Sequence, residues 1–288
     1  MPFPRRLLTE GEEIRLDLRP HWKTLVPAVF WTVVFVAAAS KGLGRAIAEE
    51  FAAEGATVAM CSRDEAGISA AAREIAQKTG RETLAVATDL GTREGCERFV
   101  KAGLERYGRM DAIVINAGGP PPGRFEELDE SQWDKAYQLT LMSAVRLVKL
   151  ALPELKKTKG NIVFSTSTTV RMPTAYVPLI LSNSLRAAVH GMLKTLSKDL
   201  AKDGIRVNAV QPGRIHTERI DQLDQDTAKR TGRSIEEVRK DWWAQIPLGR
   251  YGDVREYAAA AVFLASERAS FINGVSLQID GGMLPSTW

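Results

Sequence analysis

At 288 residues the chain can bury a full α/β core, and its 44% hydrophobic and 26% charged content is ordinary for a soluble globular enzyme. The net charge of +4 is spread along the chain, which argues against nucleic acid as a partner, since that binding needs a concentrated basic face. Two cysteines (Cys61, Cys96) and three scattered histidines (His21, His190, His216) form neither a disulfide framework nor a metal spacing, so no metal is expected and free thiols fit a cytoplasmic protein.

Residues 1–23 carry mixed charges, and a mostly apolar run follows from Leu25 through Ala39, broken by Pro27. A secretory signal would open basic and without acids, and a membrane span wants about 20 apolar residues. The membrane is therefore not an expected partner. Residues 1–31 read as an appendage and 32–288 as a dinucleotide-binding domain. The stretch Arg5-Arg6-Leu7-Leu8-Thr9-Glu10-Gly11-Glu12-Glu13 through Arg19-Pro20-His21-Trp22-Lys23 resembles the lead-in to the first membrane helix of small actinobacterial proteins with a bacterial pleckstrin-homology domain. That resemblance ends before the body begins and implies a foreign N-terminus joined near Val36-Ala37-Ala38-Ala39. Whatever its origin, Thr32-Val33-Val34-Phe35-Val36 is β-branched and aromatic, as a buried parallel strand should be.

Beyond it, short apolar runs at Val33–Ala37, Thr57–Cys61, Thr83–Ala87, Ala112–Ile115, Asn161–Phe164, Arg206–Val210 and Val275–Ile279 predict strands. Between most of them lie helical patterns at Arg45–Ala53, Glu65–Lys78, Arg93–Tyr107, Ser131–Lys156 and Leu185–Ala201. The alternation predicts an α/β fold, a doubly wound, Rossmann-like parallel sheet with helices on both faces. Ligands of such sheets sit at the carboxyl ends of the strands, and the distinctive residues fall there.

The first strand runs into Ser40-Lys41-Gly42-Leu43-Gly44, a glycine turn opening a helix, where backbone N–H groups can approach a pyrophosphate. The second strand ends at Ser62-Arg63 rather than at the carboxylate that would bind a ribose 2′-hydroxyl. Lys41 and Arg63 suit a 2′-phosphate, so NADP(H) is favoured as cofactor; Asp64 keeps NAD open, and solvated surface charge is the plain alternative for both cations. Asp89-Leu90 ends the third strand, where a carboxylate can accept from an adenine amino group. Asn116-Ala117-Gly118 ends the fourth, with small residues beside the cofactor path and an asparagine able to tie adjacent strands.

With Arg206-Val207-Asn208, Pro212-Gly213 and Asp280-Gly281-Gly282, these motifs resemble the short-chain dehydrogenase/reductase family, particularly members similar to 3-oxoacyl-(acyl carrier protein) reductases. The resemblance runs from Val33 to Met283. It implies that the segment after Pro212-Gly213, with Ile215 and Thr217, contacts the nicotinamide end of the cofactor. It also implies a dimer or tetramer built through the helices at Ser131–Lys156 and Leu185–Ala201. The chain departs from the family at Ala37-Ala38, where Thr-Gly is usual, losing a hydroxyl and a flexible residue.

Ketone reduction in the family joins hydride delivery to proton donation from a tyrosine, with a serine on the carbonyl, a lysine beside the phenol and an asparagine in a proton relay. The serine matches Ser167, with Thr169 as a second candidate because the following loop is longer than usual. The asparagine position reads Thr140, and the tyrosine and lysine fall on Ser182 and Arg186. Their i,i+4 spacing keeps both on one helical face, yet a serine hydroxyl is a far weaker acid than a phenol and an arginine releases no proton. Either water is the proton source, positioned by Ser182, or another group supplies it. Tyr176 is a second proton donor or an exposed aromatic of the substrate loop. Arg186 is left to a nicotinamide ribose or an anionic substrate, unless this helix face carries no chemistry.

Between Thr217 and Gln245 a charged segment ending near Trp242-Trp243 resembles the family's substrate lid, its tryptophans either covering substrate or anchoring the lid. The expected function is an NADP(H)-dependent oxidoreductase interconverting a carbonyl and an alcohol on a small molecule, with a 3-oxoacyl thioester among the candidates. The rivals are a non-catalytic NADP(H)-binding sensor or scaffold, and a membrane-tethered protein in which residues 1–39 anchor the chain and spoil the first strand.

Overall fold

The computed structural model describes residues 32–173 and 177–285. The expectations for residues 1–31, including their resemblance to membrane proteins, lie outside the described residues, as does Tyr176. Among the described residues, seven strands form one parallel sheet in the order β3-β2-β1-β4-β5-β6-β7. They are β1 (Val33–Val36), β2 (Thr57–Ser62), β3 (Thr83–Ala87), β4 (Ala112–Ile115), β5 (Asn161–Ser165), β6 (Arg206–Pro212) and β7 (Ser276–Ile279). Every predicted strand is present, with ends moved by a residue or two: β2, β5 and β6 run past the apolar stretch, while β1 and β7 fall one residue short of it.

β1 is buried along its whole length, as a central strand of a two-faced sheet must be, and it pairs with β2 on one side and β4 on the other. The strand order reverses between β1 and β4, which opens a crevice at their carboxyl ends. One face of the sheet carries a core around Phe35, Phe99, Leu147 and Phe164, with Phe35 and Phe99 edge to face at 5.6 Å. The other buries Ile47, Met60, Ile75 and Tyr257.

Helices α1 (Gly42–Ala53), α2 (Glu65–Thr79) and α3 (Arg93–Tyr107) follow the first three strands. The long helix expected over Ser131–Lys156 is instead α4 (Glu130–Tyr137), a π-helical turn at Gln138–Met142 and α5 (Ser143–Thr158). The wide turn sits where Thr140 and the Ser143 hydroxyl, which donates back to the Leu139 carbonyl, interrupt regular packing. Helix α6 (Ile180–Asp199) starts a turn earlier than predicted, so Ser182 and Arg186 both lie within it.

The charged stretch after β6 folds into α7 (Glu218–Thr231) and α8 (Ile235–Gln245), ahead of α9 (Val254–Ala265). A buried polar cluster pins this pair to the body. Arg214 is ion-paired with the fully buried Asp224, the Tyr251 hydroxyl donates to the same carboxylate at 2.9 Å, and the Arg214 guanidinium lies 4.0 Å over the Trp242 ring. Trp242 thus anchors α8; Trp243 is exposed and packs edge-on against Tyr251. Among the described residues, no helix is long and apolar enough to cross a membrane.

Candidate active site

A cleft of about 530 Å³ opens at the carboxyl ends of β1, β4, β5 and β6, with α7 as its far wall. All the residues singled out as cofactor-contacting line it: Ser40, Lys41, Gly42, Leu43 and Gly44 after β1, Ser62 and Arg63 after β2, Asp89 and Leu90 after β3, Asn116, Ala117 and Gly118 after β4, and Pro212, Gly213, Ile215 and Thr217 after β6. Ser167, Ser182 and Arg186 line the same space, as does Thr169. Thr140 does not reach it: it is buried, with its hydroxyl oxygen unpartnered, while its neighbour Leu139 faces the cleft.

The glycine turn is built by backbone. Ala38 takes φ 51 and Gly42 φ 58, both left-handed, so the chain makes the turn even where the family's glycine is an alanine. At Gly44 the reason for glycine is space: a Cβ there would meet the Ala38 carbonyl oxygen at 2.3 Å. Asn116 Nδ2 donates to the carbonyls of Ala37 and Ala38 at 3.3 and 3.2 Å, tying the end of β4 to the turn after β1. No side chain caps α1; Lys41 precedes it in extended conformation. The N–H groups of Gly42, Leu43 and Gly44 find no acceptor among the described residues and open on the cleft. Unpaired amides at a helix N-terminus suit a dinucleotide's diphosphate, so this end of the site fits the group the fold implies.

The charged groups nearby are differently committed. Asp64 caps α2, accepting from the Gly67 N–H at 3.1 Å, and is turned to that helix rather than to a ribose. The hydroxyls of Ser40 and Ser62 bond each other at 2.9 Å. Lys41 Nζ reaches across the cleft mouth to Glu218 at 2.7 Å, an exposed pair of little net strength that another anion can displace. Arg63 is exposed and makes no ion pair among the described residues.

Deeper in, Ser167 Oγ bonds the Thr169 hydroxyl at 2.8 Å, and Thr169 donates to Asn183 Oδ1 at 2.7 Å, so both hydroxyls stand in one chain beside Ser182. Arg186 is buried. Its Nη1 donates to the Ser165 carbonyl at 2.7 Å and its Nη2 to the Ala117 carbonyl at 3.3 Å, bracing the ends of β5 and β4. Among the described residues, no carboxylate lies within ion-pairing distance of it. Burial lowers its proton affinity, and the neighbouring Arg219 cation lowers it further, against a raising contribution from Tyr257. Arginine stays charged regardless, so this is a buried cation without a counter-ion.

Three contributors escaped the sequence reading. Arg219, in the first turn of α7, lines the cleft and donates to the Pro120 carbonyl at 2.8 Å, closing the lid onto the loop after β4. Glu218 holds Lys41. Tyr257, fully buried in α9, bonds Ser165 Oγ at 2.8 Å and the Val210 carbonyl at 3.3 Å, and burial raises its phenol pKa. It lies outside the cleft and braces the floor. The charge of the segment after Thr217 pointed to the first two without saying which residues turn inward; nothing in the local pattern of α9 marks Tyr257.

Fold and site together define a nucleotide-binding, doubly wound α/β protein. A family profile described as enoyl-(acyl carrier protein) reductase matches residues 37–284. L-fucose dehydrogenase of Bos taurus is 36% identical over 252 residues, covering 87% of this chain and 88% of that protein. The 3-oxoacyl-(acyl-carrier-protein) reductase of Vibrio cholerae is 33% identical over 252 residues, covering 87% and 96%. Among solved structures, L-sorbose reductase from Gluconobacter frateurii, in complex with NADPH and L-sorbose, superposes with a TM-score of 0.83 at 32% identity, covering 88% of this chain and 97% of the other. The chain belongs to the short-chain dehydrogenase/reductase family, whose members are NAD(P)-dependent oxidoreductases.

Proposed function

We propose that the protein is an NADP(H)-dependent oxidoreductase that interconverts a carbonyl and an alcohol on a small molecule. The observation that carries this reading is the single cleft, in which the uncapped amides of α1 and the hydroxyls of Ser167 and Ser182 line one continuous space. The nicotinamide of the cofactor, when bound, supplies or takes the hydride. The amides of Gly42, Leu43 and Gly44 hold the diphosphate, while Asn116 keeps the turn closed on it. Arg63 and Lys41 meet the 2′-phosphate, the latter exchanging Glu218 for the ligand. Ser62, not a carboxylate, ends β2, and Asp64 beside it has one oxygen drawn to its own helix cap, which supports NADP(H) over NAD(H).

At the reacting end, the Ser182 hydroxyl donates to the substrate oxygen and stabilises the charge that builds there, and the Ser167 hydroxyl joins it on turning from Thr169. Neither can release a proton as a phenol does, so water beside Ser182 delivers it to the new alcohol oxygen. The similarity to 3-oxoacyl reductases makes a 3-oxoacyl thioester one candidate substrate. Assembly through α5 and α6 belongs to the same reading.

The second reading, a non-catalytic NADP(H) sensor or scaffold, is favoured by what the family resemblance implies for α6, which carries Ser182 and Arg186 in place of a tyrosine and a lysine. Titration with NADPH and NADH, followed by a turnover screen over ketones, aldehydes and 3-oxoacyl thioesters, separates the two. Tight NADPH binding with turnover of any carbonyl supports the enzyme. Binding without turnover across the screen supports the sensor, and failure to bind either coenzyme overturns both.

A further inference from the structure

The cleft holds two guanidinium groups to which the cofactor reading assigns no anion. Arg186 is buried at the end of β5 and is bonded only to two neutral carbonyls. Arg219 approaches from α7 across the cleft and is also bonded to a neutral carbonyl, that of Pro120. Among the described residues, neither has a carboxylate within ion-pairing distance, although the field of Asp226 reaches Arg219. Both line the one cleft, and the carbonyls they hold, of Ala117 and Pro120, stand three residues apart in the loop after β4. By contrast, the other buried arginine of the region, Arg214, is neutralised outright by Asp224.

Two like charges brought together in a partly dry cleft, each with N–H donors to spare, repel one another until an anion sits between them. The planar fork of a guanidinium matches a carboxylate through paired, charge-assisted hydrogen bonds. Position narrows the ligand further. Ser182 lies one turn before Arg186 on the same face of α6, about 5–6 Å away at the Cβ atoms. A molecule whose carbonyl oxygen rests on Ser182 and whose carboxylate rests on Arg186 must carry both groups within the one cleft.

We propose that Arg186 and Arg219 form a carboxylate seat, and that the substrate is a small oxo acid reduced to its hydroxy acid, or the reverse. The proposal rests on the oxidoreductase reading above and names its substrate class. In the reducing direction the carbonyl carbon gains a hydride from NADPH and its oxygen gains a proton from water, giving the hydroxy acid, NADP⁺ and hydroxide. The carboxylate takes no part in the bond changes.

The test uses the protein saturated with NADPH, with acetoacetate and its methyl ester as a matched pair and malonate as a dead-end probe. Acetoacetate should be reduced with kcat/KM at least about 10-fold above the ester, and malonate should compete with it. In Arg186→Gln and Arg219→Gln that preference should vanish and malonate affinity should fall about 10-fold or more, with NADPH affinity changing less than about 3-fold. Arg186→Lys should restore part of the preference, because it keeps the charge and loses the fork. An ester turned over as well as the acid, or malonate without effect, overturns the proposal while leaving the oxidoreductase intact. So does an Arg186→Gln variant that loses NADPH as severely as malonate, since that assigns Arg186 to the cofactor ribose. A wild-type protein blind to NADPH overturns the underlying reading and the proposal with it. If Arg186→Gln does not fold, the wild-type acid and ester pair and Arg219→Gln decide the matter.

Discussion

The two ends of the cleft are made of different material. At the end formed by β1, α1 and β2, the groups that open on the cleft are chiefly backbone amides, with the Lys41 and Arg63 side chains beside them, on a left-handed turn at Ala38 and Gly42 with a steric requirement at Gly44. At the end formed by β5, α6 and α7, they are side chains: Ser167, Ser182, Arg186 and Arg219. Backbone sites tolerate most substitutions that keep the turn, as Ala38 shows by adopting a conformation usually given to glycine. Side-chain sites change chemistry with each replacement. One fold can therefore keep its cofactor end while its reacting end is rewritten.

The contrast can be broken most forcefully at Gly42. Gly42→Asp puts a β-carbon on a left-handed residue and a carboxylate against the phosphates; NADPH affinity should fall about 1,000-fold, or roughly 4.1 kcal/mol, in a fluorescence titration. At the other end, Ser167→Ala and Ser182→Ala should each lower turnover about 100-fold, the scale for one donor to a developing oxyanion, with NADPH affinity within about 3-fold of wild type. Loss of cofactor binding in either serine variant would erase the distinction between the ends.

A smaller effect sharpens the cofactor end itself. Arg63→Glu should weaken NADPH about 10-fold and NADH less than about 3-fold, because only the former carries a phosphate for the arginine to meet. Equal losses would remove the 2′-phosphate from the argument. The smallest effect is expected at Ala38→Gly. Relief of a left-handed alanine, about 1–2 kcal/mol, is offset by the roughly 0.4–1 kcal/mol cost of a freer unfolded chain. The melting temperature should rise by less than about 4 °C, without a change in cofactor affinity.

How much of this could be seen beforehand differs between the same two regions. Strand and helix alternation, the glycine turn, the Asn116 tie and the buried run of β1 all announced themselves through local pattern, because each is a short-range rule about burial, turns or amide geometry. The π-helical turn at Thr140 carried no such signal, since hydrogen-bond register inside a helix depends on what packs around it. The roles of charged residues were equally hidden. Asp64 and Lys41 stood near the turn as candidate ligands, and only the folded arrangement turned Asp64 to its own helix cap and Lys41 to Glu218, which lies 177 residues further along the chain.

The amino-acid order, then, was enough for the α/β class, the seven strands and the first three helices, and for the glycine turn that opens α1, since those follow from local propensity and periodicity. The counter-ion of each cation was a different matter. Whether an arginine is neutralised, like Arg214, or left bare and buried, like Arg186, depends on residues far apart in sequence meeting at one point, and the energy of a charge is set by everything within reach of its field.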